Sequence, residues 1–187
     1  MKIVLLASGA GSLARAVCQA QVANLQIAAL ISDKQCLALD VARDHEIPTH
    51  VVEMRNDRAE WSSELEAAVQ KYSPDLVVSV GFMRILSSSF LKKFKTINTH
   101  PALLPLFPGA HAVRDALAAD ASVTGTTVHW VDEGVDTGPV IAQKEIAIHS
   151  GDDEASLHER IKIAERLLIV ETLSHFASQG IPEITNG

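Results

Sequence analysis

The sequence predicts an α/β domain with a mainly parallel, twisted sheet and helices on both faces. In residues 1–100, short apolar runs rich in Ile, Val and Leu alternate with helical patterns, which is typical of buried parallel strands joined by helices. After residue 100, two longer strand-like segments follow one another and a long helical pattern comes last. These observations indicate a Rossmann-like fold with an antiparallel pair of strands near the C-terminus.

Five short strands are expected first, because each apolar run is bounded by glycine or by polar residues. The run that begins at Lys2 stops at Ser8 and Gly9, and the fourth run stops at Gly81. The predicted strands cover residues 2–7, 26–31, 49–52, 76–80 and 95–99.

The segments between these strands have helical patterns. Asp57 can cap the longest of them, and Glu60 follows three residues later in the register of a capping box. Cys18 falls within the apolar pattern of the first helix, which indicates a small core residue. The predicted helices cover residues 13–23, 36–45, 58–72 and 87–94.

The rest of the chain predicts a helix, two strands and a closing helix without any repeat or linker. The closing helix should cover the sheet, because four apolar residues recur on one of its faces. These residues are Leu157, Ile161, Ala164 and Leu168. The predicted elements are a helix over residues 111–119, strands over 122–131 and 140–148, and a helix over 155–177. One domain over residues 1–187 is therefore expected.

Composition and charge exclude several function classes. The formal net charge of −7 gives no global basic field, so nucleic acid is not expected as a partner. The two cysteines form no CxxC motif and the eight histidines have no metal-ligand spacing, so no metal is expected. The apolar N-terminus is too short for a signal peptide, and no apolar run approaches the ~20 residues that span a bilayer. A cytoplasmic protein without a membrane partner is expected.

The loop after the first strand has three interpretations. Gly9, Gly11 and Ala14 satisfy the G-x-G-x-x-A dinucleotide fingerprint, and Asp33 lies near the position of a ribose-binding acid. A phosphate site without a dinucleotide fits as well, because glycines that lead into a helix N-terminus can bind any phosphate. A tight turn that needs a positive φ is the third. The loop predicts a phosphate site and leaves its ligand open.

Asn98 and His100 lie two residues apart at the end of a predicted parallel strand. Their side chains therefore share a face at the edge where open α/β sheets bind ligands. Taken alone, the pair would more simply be a turn cap and a packed histidine. The rigid path through Pro101, Pro105 and Pro108 favours a site instead.

Asp136 lies in a glycine-flanked loop, where a lone aspartate ordinarily forms a turn. An amide donor, a protonatable ring and a carboxylate together suit the transfer of a carbonyl group, whose tetrahedral intermediate carries an oxyanion. With the phosphate loop, they predict an acyl transferase acting on a phosphorylated substrate. Asp132 and Glu133 are expected to be solvated charges, and His111 and His129 are candidates to line the same cleft.

Motifs along nearly the whole chain carry a resemblance to a known family. The HPALLP segment at 100–105 and DTGP at 136–139 are shared by formyl-tetrahydrofolate enzymes in general. The PGAH segment at 108–111 and GFMR at 81–84 restrict the resemblance to those that act on a ribonucleotide. The sequence resembles the folate-dependent glycinamide ribonucleotide formyltransferases. The other shared segments are LLASGAGS at 5–12, TGTTVH at 124–129 and DEGV at 132–135.

The resemblance implies transfer of the formyl group of 10-formyltetrahydrofolate, the co-substrate, to the amine of glycinamide ribonucleotide in de novo purine biosynthesis, without a metal. Asn98 and protonated His100 would donate to the oxyanion, and Asp136 would hold the imidazole and favour its charged form. Residues 1–100 would form the phosphate- and nucleotide-binding half of the domain, and residues 101–187 the folate-binding and catalytic half.

The resemblance also assigns the binding residues. The ribonucleotide would be bound by Gly9, Ala10, Gly11, Ser12, Leu13, Arg58, Lys162 and Glu165. The folate would lie against Met83, Arg84, Ile85, Leu86, Val135 and Asp136, where backbone groups can read the pterin ring. Taken alone, Lys162 and Glu165 would be an ordinary solvated pair on a helix.

Three residues depart from the family pattern. Leu13 stands where many members have Asn, Ala102 where Ser is common, and Leu106 where a polar or basic residue is frequent. None belongs to the catalytic set, so these changes bear on substrate affinity rather than on reaction type.

Three other functions could use some of the same residues. A formyltetrahydrofolate deformylase would use the same residues with water in place of the amine, but typically has an additional N-terminal domain. A methionyl-tRNA formyltransferase would need a further C-terminal domain and a basic face. A non-catalytic dinucleotide-binding module could use Gly9 and Asp33. A monomer or homodimer that acts on small molecules is expected.

Overall fold

The computed structural model describes residues 1–184, which form a seven-stranded mixed sheet and six helices. The strands are β1 (Lys2–Ala7), β2 (Gln26–Ser32), β3 (Thr49–Val51), β4 (Leu76–Ser79), β5 (Thr96–His100), β6 (Val123–Trp130) and β7 (Val140–Ala147). The helices are α1 (Ser12–Gln19), α2 (Leu37–Asp44), α3 (Arg58–Gln70), α4 (Ser88–Lys93), α5 (Ala112–Ala118) and α6 (Glu154–Gln179).

The strands lie in the order β3-β2-β1-β4-β5-β6-β7. β1 to β5 are parallel to one another, whereas β6 is antiparallel to both of its neighbours, β5 and β7. The chain moves outward from β1 to β3 and then continues on the other side of β1 from β4 onward. Open α/β sheets bind ligands beyond the carboxyl ends of their strands at such a switch point. The loops that follow β1, β4 and β5 therefore mark the expected site.

Alternate residues of the central strand are buried on opposite faces of the sheet. Ile3 and Leu5 of β1 pack with α1, α2 and α6, whereas Val4 and Leu6 pack with α3 and α4. Helices thus cover both faces, as the sequence predicts. The two apolar layers hold the strand ends in place and so fix the loops that carry the site.

The predicted order of strands and helices is confirmed, and the boundaries differ by a few residues. The largest difference is in α1, which ends at Gln19 rather than at residue 23. Gln21 and Asn24 adopt left-handed backbone conformations, with φ of 44° and 61°. The chain therefore leaves the helix early and turns back into β2. Cys18 is buried in the core, as expected.

Asp57 caps α3, since its carboxylate accepts hydrogen bonds from the N–H groups of Ala59 and Glu60 at 2.8 and 3.1 Å. The predicted capping box is not completed. The Glu60 carboxylate faces Arg55 instead, at 3.5 Å, because an ion pair is available on the exposed side of the helix. One of the two expected cap interactions therefore forms.

The closing helix α6 covers the sheet through the predicted apolar face. Leu157 and Ile161 pack against Val113 of α5, and Leu168 joins the larger core. A capping box between Asp153 and Ser156 begins the helix. Although α6 has 26 residues, neither it nor any other helix within residues 1–184 is long and apolar enough to cross a membrane.

Candidate active site

A cavity of about 410 Å³ opens beyond the carboxyl ends of β4 and β5. One wall is the loop after β4, residues 81–86, and the opposite wall is the loop between β6 and β7. Asn98, His100 and His129 line the cavity where β5 and β6 pair. The site therefore lies at the switch-point edge of the sheet, where the strand order places it.

His100 is almost completely buried and has an acceptor on each side of its ring. Nε2 is 2.8 Å from the backbone oxygen of Phe107, and Nδ1 is 3.3 Å from Oδ2 of Asp136. A carbonyl oxygen only accepts, so Nε2 donates to Phe107, and the Asp136 carboxylate offers a second acceptor beside Nδ1. The ring is therefore oriented at both of its nitrogens.

Two residues around His100 adopt left-handed backbone conformations. φ is 52° at Phe107 and 55° at Asp136, which is uncommon for residues other than glycine and is found at functional sites. The Asp136 loop is also drawn against β6, because a Cβ on Gly138 would lie 1.8 Å from the backbone oxygen of Trp130. Only glycine permits this close approach, which brings Asp136 beside His100.

The Asp136 carboxylate has three polar neighbours. Oδ2 accepts a hydrogen bond from the Gly109 N–H at 2.8 Å, and Oδ1 is 3.5 Å from Nε2 of His129. Burial acts to raise the pKa of Asp136, but His129, the Gly109 N–H and the charge of His100 outweigh it and lower the pKa below its usual value. Asp136 is therefore ionised at neutral pH and suited to orient the imidazole.

Asn98 is oriented by His129, its partner across the β5–β6 ladder. Nδ1 of His129 donates to the Trp130 backbone oxygen at 2.8 Å, which fixes the ring. Its Nε2 lies 3.3 Å from the side-chain amide nitrogen of Asn98 and 3.5 Å from Oδ1 of Asp136, so the ring stands between these two side chains. The second amide hydrogen of Asn98 stays available for a ligand in the cavity.

The rim of the cavity is apolar and exposed. Met83 and Ile85, in the wall of residues 81–86, are 74% and 55% exposed, and Val135 on the opposite wall is 52% exposed. Large apolar side chains that remain in water around a concave site are typical of a binding pocket for a flat, partly apolar ligand.

Side chains outside the cavity fasten the wall of residues 81–86. The Ser8 hydroxyl accepts a hydrogen bond from the Met83 N–H at 3.0 Å, and the Arg58 guanidinium donates to the Ile85 backbone oxygen at 3.0 Å. Arg58, which the resemblance assigns to the ribonucleotide, thus contacts the wall of residues 81–86. It lies at the start of α3, on the opposite face of the sheet from α1.

The same wall is held by an ion pair whose carboxylate is buried. Nε of Arg84 donates to Oδ2 of Asp33 at 2.6 Å. The Asp33 side chain is 1% exposed and that of Arg84 is 37% exposed. Asp33, directly after β2, is the acid that a dinucleotide fingerprint would use to bind a ribose. Here its carboxylate binds the Arg84 guanidinium instead.

The glycines of the predicted phosphate loop have different roles. Gly11 has a φ of 77°, and a Cβ there would lie 2.7 Å from the Cα of Ala38, so this glycine lets α1 approach α2. Gly9 is exposed, and a Cβ there would meet no atom within 4 Å. No side chain caps the first turn of α1, whose N–H groups can therefore bind an anion.

The remaining loop residues differ in what they offer a ligand. Ala10 is exposed and Ser12 is half-buried, whereas the Leu13 side chain packs in the core. Leu13 can therefore contribute only its backbone N–H, which accords with its departure from the family pattern.

Lys162 and Glu165 lie on α6 in different environments. Lys162 is partly exposed and pairs with Glu159 at 2.7 Å. Glu165 is 7% exposed, and burial raises its pKa to about 7 despite the positive charges of Lys162 and Arg166. The interpretation of an ordinary solvated pair is therefore wrong for Glu165.

Comparisons with known proteins identify the family of the chain. Residues 1–173 match the family described as formyl transferase. The chain is 46% identical over 186 residues to the phosphoribosylglycinamide formyltransferase of Mycobacterium tuberculosis, with 96% of this chain and 86% of that protein covered. The chain belongs to the formyl transferase family.

Solved structures of formyl transferases have the same fold. The phosphoribosylglycinamide formyltransferase of Bacillus halodurans superposes with a TM-score of 0.91 at 33% identity, with all of both chains covered. Glycinamide ribonucleotide transformylase 1 of Symbiobacterium toebii has a TM-score of 0.91 at 32% identity, with 95% of this chain and 88% of that chain covered.

In this formyl transferase, the structure brings the three expected catalytic side chains to one cavity, together with all the expected folate-binding residues. The expected ribonucleotide-binding residues lie outside this cavity. The loop after β1, the first turn of α1 and helix α6 carry seven of them, and Arg58 contacts the wall from outside the cavity.

Three residues that line the cavity have no assigned role in the sequence analysis: His129, Asp132 and His158. The sequence makes His129 a candidate to line the cleft, and gives His158 of α6 no metal-ligand spacing. Burial and the charge of Lys162 lower the pKa of His158. Asp132 is exposed, as expected of a solvated charge, and it also accepts hydrogen bonds from the Gly134 N–H and the Thr137 hydroxyl at 3.0 and 2.8 Å. For His129, the one signal available is the antiparallel pairing of its strand with the strand that carries Asn98.

Within residues 1–184, no group of three or more His, Cys, Asp and Glu side chains is arranged to hold a metal ion.

Proposed function

We propose that this formyl transferase moves the formyl group of 10-formyltetrahydrofolate to the amine of glycinamide ribonucleotide in de novo purine biosynthesis. The observation that carries the proposal is the convergence of Asn98, His100 and Asp136 in one cavity with an apolar rim. The relatives named phosphoribosylglycinamide formyltransferase, which align with nearly the whole chain, support it. Both substrates are small molecules.

The folate occupies the cavity between residues 81–86 and the Val135 loop. Its pterin ring is flat and carries donors and acceptors along its edge. The apolar side chains of Met83 and Ile85 cover the faces of the ring, and backbone groups of the two walls read the edge. Binding places N10 and its formyl group toward Asn98 and His100, which line the same cavity.

The ribonucleotide binds between the loop after β1 and helix α6. Its phosphate is received by the backbone N–H groups of residues 9–13, where the uncapped N-terminus of α1 favours negative charge. Lys162 of α6 adds a cation, and Glu165 a buried acceptor, toward the sugar or amine end. Because β1 and β4 are adjacent strands, the two substrates meet above neighbouring strand ends.

The transfer is a direct attack by the amine. The amine nitrogen forms a bond to the formyl carbon, and the carbonyl electron pair moves to oxygen to give a tetrahedral adduct with a negative charge. Collapse of the adduct breaks the bond between carbon and N10, and N10 takes up the proton that the attacking nitrogen loses. Orientation of two bound reactants supplies much of the rate, because the step becomes unimolecular.

The oxyanion is stabilised by Asn98 and His100. Asn98 has an amide hydrogen that His129 does not use. Nε2 of His100 donates to the Phe107 backbone oxygen and Nδ1 faces Asp136, so the ring exchanges the Phe107 oxygen for the oxyanion when the substrates bind. Catalytic hydrogen bonds commonly form fully only in the complex. Two donors aimed at the developing charge provide the largest electrostatic contribution.

Asp136 holds the imidazole in position through its contact with Nδ1. Its lowered pKa makes it a weak proton acceptor, so it acts mainly by orienting His100. The proton passes from the attacking nitrogen to N10, with water as the carrier beside Asp136.

The test is a spectrophotometric assay of purified protein with 10-formyltetrahydrofolate, with and without glycinamide ribonucleotide. Loss of the formyl donor that depends on the ribonucleotide is the expected result. Donor loss that is independent of the ribonucleotide would replace the proposal with a deformylase. No donor loss, with binding of NAD in a parallel titration, would replace it with a dinucleotide-binding module.

A further inference from the structure

The Asp33–Arg84 ion pair crosses the switch point of the sheet. Asp33 follows β2, and Arg84 lies in the loop after β4, while β1 runs between these two strands. The Arg84 side chain therefore reaches across the carboxyl end of β1 to form the 2.6 Å hydrogen bond. The pair links the cavity wall to a strand that contributes no residue to the cavity lining.

The burial of Asp33 makes this link stiff. Its Oδ1 atom is buried and has no hydrogen-bond partner within residues 1–184, so Arg84 is the only side chain there that forms an ion pair with the carboxylate. Removing one partner of a buried pair leaves an uncompensated charge, which is strongly unfavourable. Conformations of the wall that withdraw Arg84 from Asp33 are therefore disfavoured.

The residues before and after Arg84 are also held by hydrogen bonds. Met83 is fixed through its N–H by Ser8, and Ile85 through its carbonyl by Arg58. Arg84 stands between them, so three consecutive residues of the wall are each fastened to a different element. A wall held in its binding conformation loses little entropy when a ligand arrives.

We infer that Asp33 is a positioning residue for the folate site, which acts by holding Arg84 and so fixes residues 83–85 in the shape that receives the pterin. This inference rests on the proposed function, because the folate is the ligand concerned. Asp33 touches neither substrate. It differs from the acid of a dinucleotide site, which would accept hydrogen bonds from a ribose.

The experiment compares Asp33→Ala, Asp33→Asn and the wild-type protein by calorimetric titration with tetrahydrofolate, the product, and by steady-state kinetics. Asp33→Ala should raise the Kd for tetrahydrofolate and the KM for the formyl donor about tenfold. Asp33→Asn keeps one acceptor for Arg84 without the charge, so it should give a smaller rise. The KM for the ribonucleotide should change less than about twofold in both, because its site is on other elements.

Asp152→Asn is the matched control. Asp152 forms an ion pair with Arg160 that has similar side-chain exposures, 9% and 30%, but lies at the start of α6. This variant should leave the Kd for tetrahydrofolate unchanged while removing a comparable ion pair. Thermal denaturation of all variants separates loss of folding from loss of affinity.

The outcomes are distinct. Wild-type protein that fails to bind tetrahydrofolate would remove the proposed function itself. Wild-type and Asp33 variants that bind it equally well would overturn the positioning role alone. Equal increases in the KM for both substrates would assign Asp33 to general stability, whereas a graded effect confined to the folate is the expected result.

Discussion

Replacing Glu165 with glutamine should stabilise the protein relative to the wild type at neutral and alkaline pH, and should have little effect at acidic pH. Glu165 is 7% exposed on α6. Burial raises its pKa from 4.5 to about 7, and the charges of Lys162 and Arg166 oppose this only in part. The glutamine has the same shape and cannot ionise, so it removes the cost of burying the charge.

The sign follows from proton binding. Between pH 4.5 and about 7, folded Glu165 holds a proton that the unfolded chain has released, so the free energy of unfolding falls as the pH rises. The stability from protonated Glu165 is fully present below pH 4.5 and is lost as the pH rises through about 7. Since one pKa unit corresponds to about 1.4 kcal/mol, the full shift amounts to about 3 kcal/mol.

The assay is urea unfolding of wild type, Glu165→Gln and Glu171→Gln at several pH values, followed by the fluorescence of buried Trp61 and Trp130. The free energy of unfolding of Glu165→Gln minus that of the wild type should increase by about 3 kcal/mol from acid to mildly alkaline pH. Glu171 is exposed on the same helix and serves as the control, which should follow the wild type. Parallel pH curves for Glu165→Gln and the wild type would refute the reasoning.

The remaining predictions concern the phosphate loop and the chemistry. Gly9→Val should raise the KM for the ribonucleotide about tenfold without lowering the Tm, because its side chain meets no protein atom but fills the space of the phosphate; an equal rise in the KM for the folate would count against this site. Gly11→Val should instead lower the Tm in thermal denaturation, since its Cβ would press on Ala38, and an unchanged Tm would contradict that packing role. His100→Ala and Asp136→Asn should fold normally and lose about 10²–10³-fold in kcat, and near-wild-type turnover in both would remove the catalytic assignment.

The order of elements could be predicted because it depends on local patterns. Buried runs of β-branched and aliphatic residues between helical segments leave few arrangements other than a parallel sheet with helices on both faces. The end of α1 could not be predicted, since Gln21 and Asn24 have side chains that a helix accepts. Their left-handed backbone follows from the turn into β2 rather than from residue type.

The candidate site was predictable to a similar extent. Asn98 and His100 lie two residues apart on one strand, so their common face follows from the period of a strand. Asp136 needed the family resemblance, because a loop aspartate has no periodicity that would place it near His100. The orienting role of His129 depends on which residue of β6 pairs with Asn98, and this register is a property of the assembled sheet.

The sequence by itself determined the fold class, the strand-end position of Asn98 and His100 and, through its motifs, the reaction. The tertiary structure alone decided which side chains meet across long separations: Asp33 with Arg84, and Arg58 with the carbonyl of Ile85. Propensity and periodicity act between residues that are near in the chain. Hydrogen bonds and ion pairs act over about 3 Å in space, so their partners are set only when the packed helices and strands bring distant segments together.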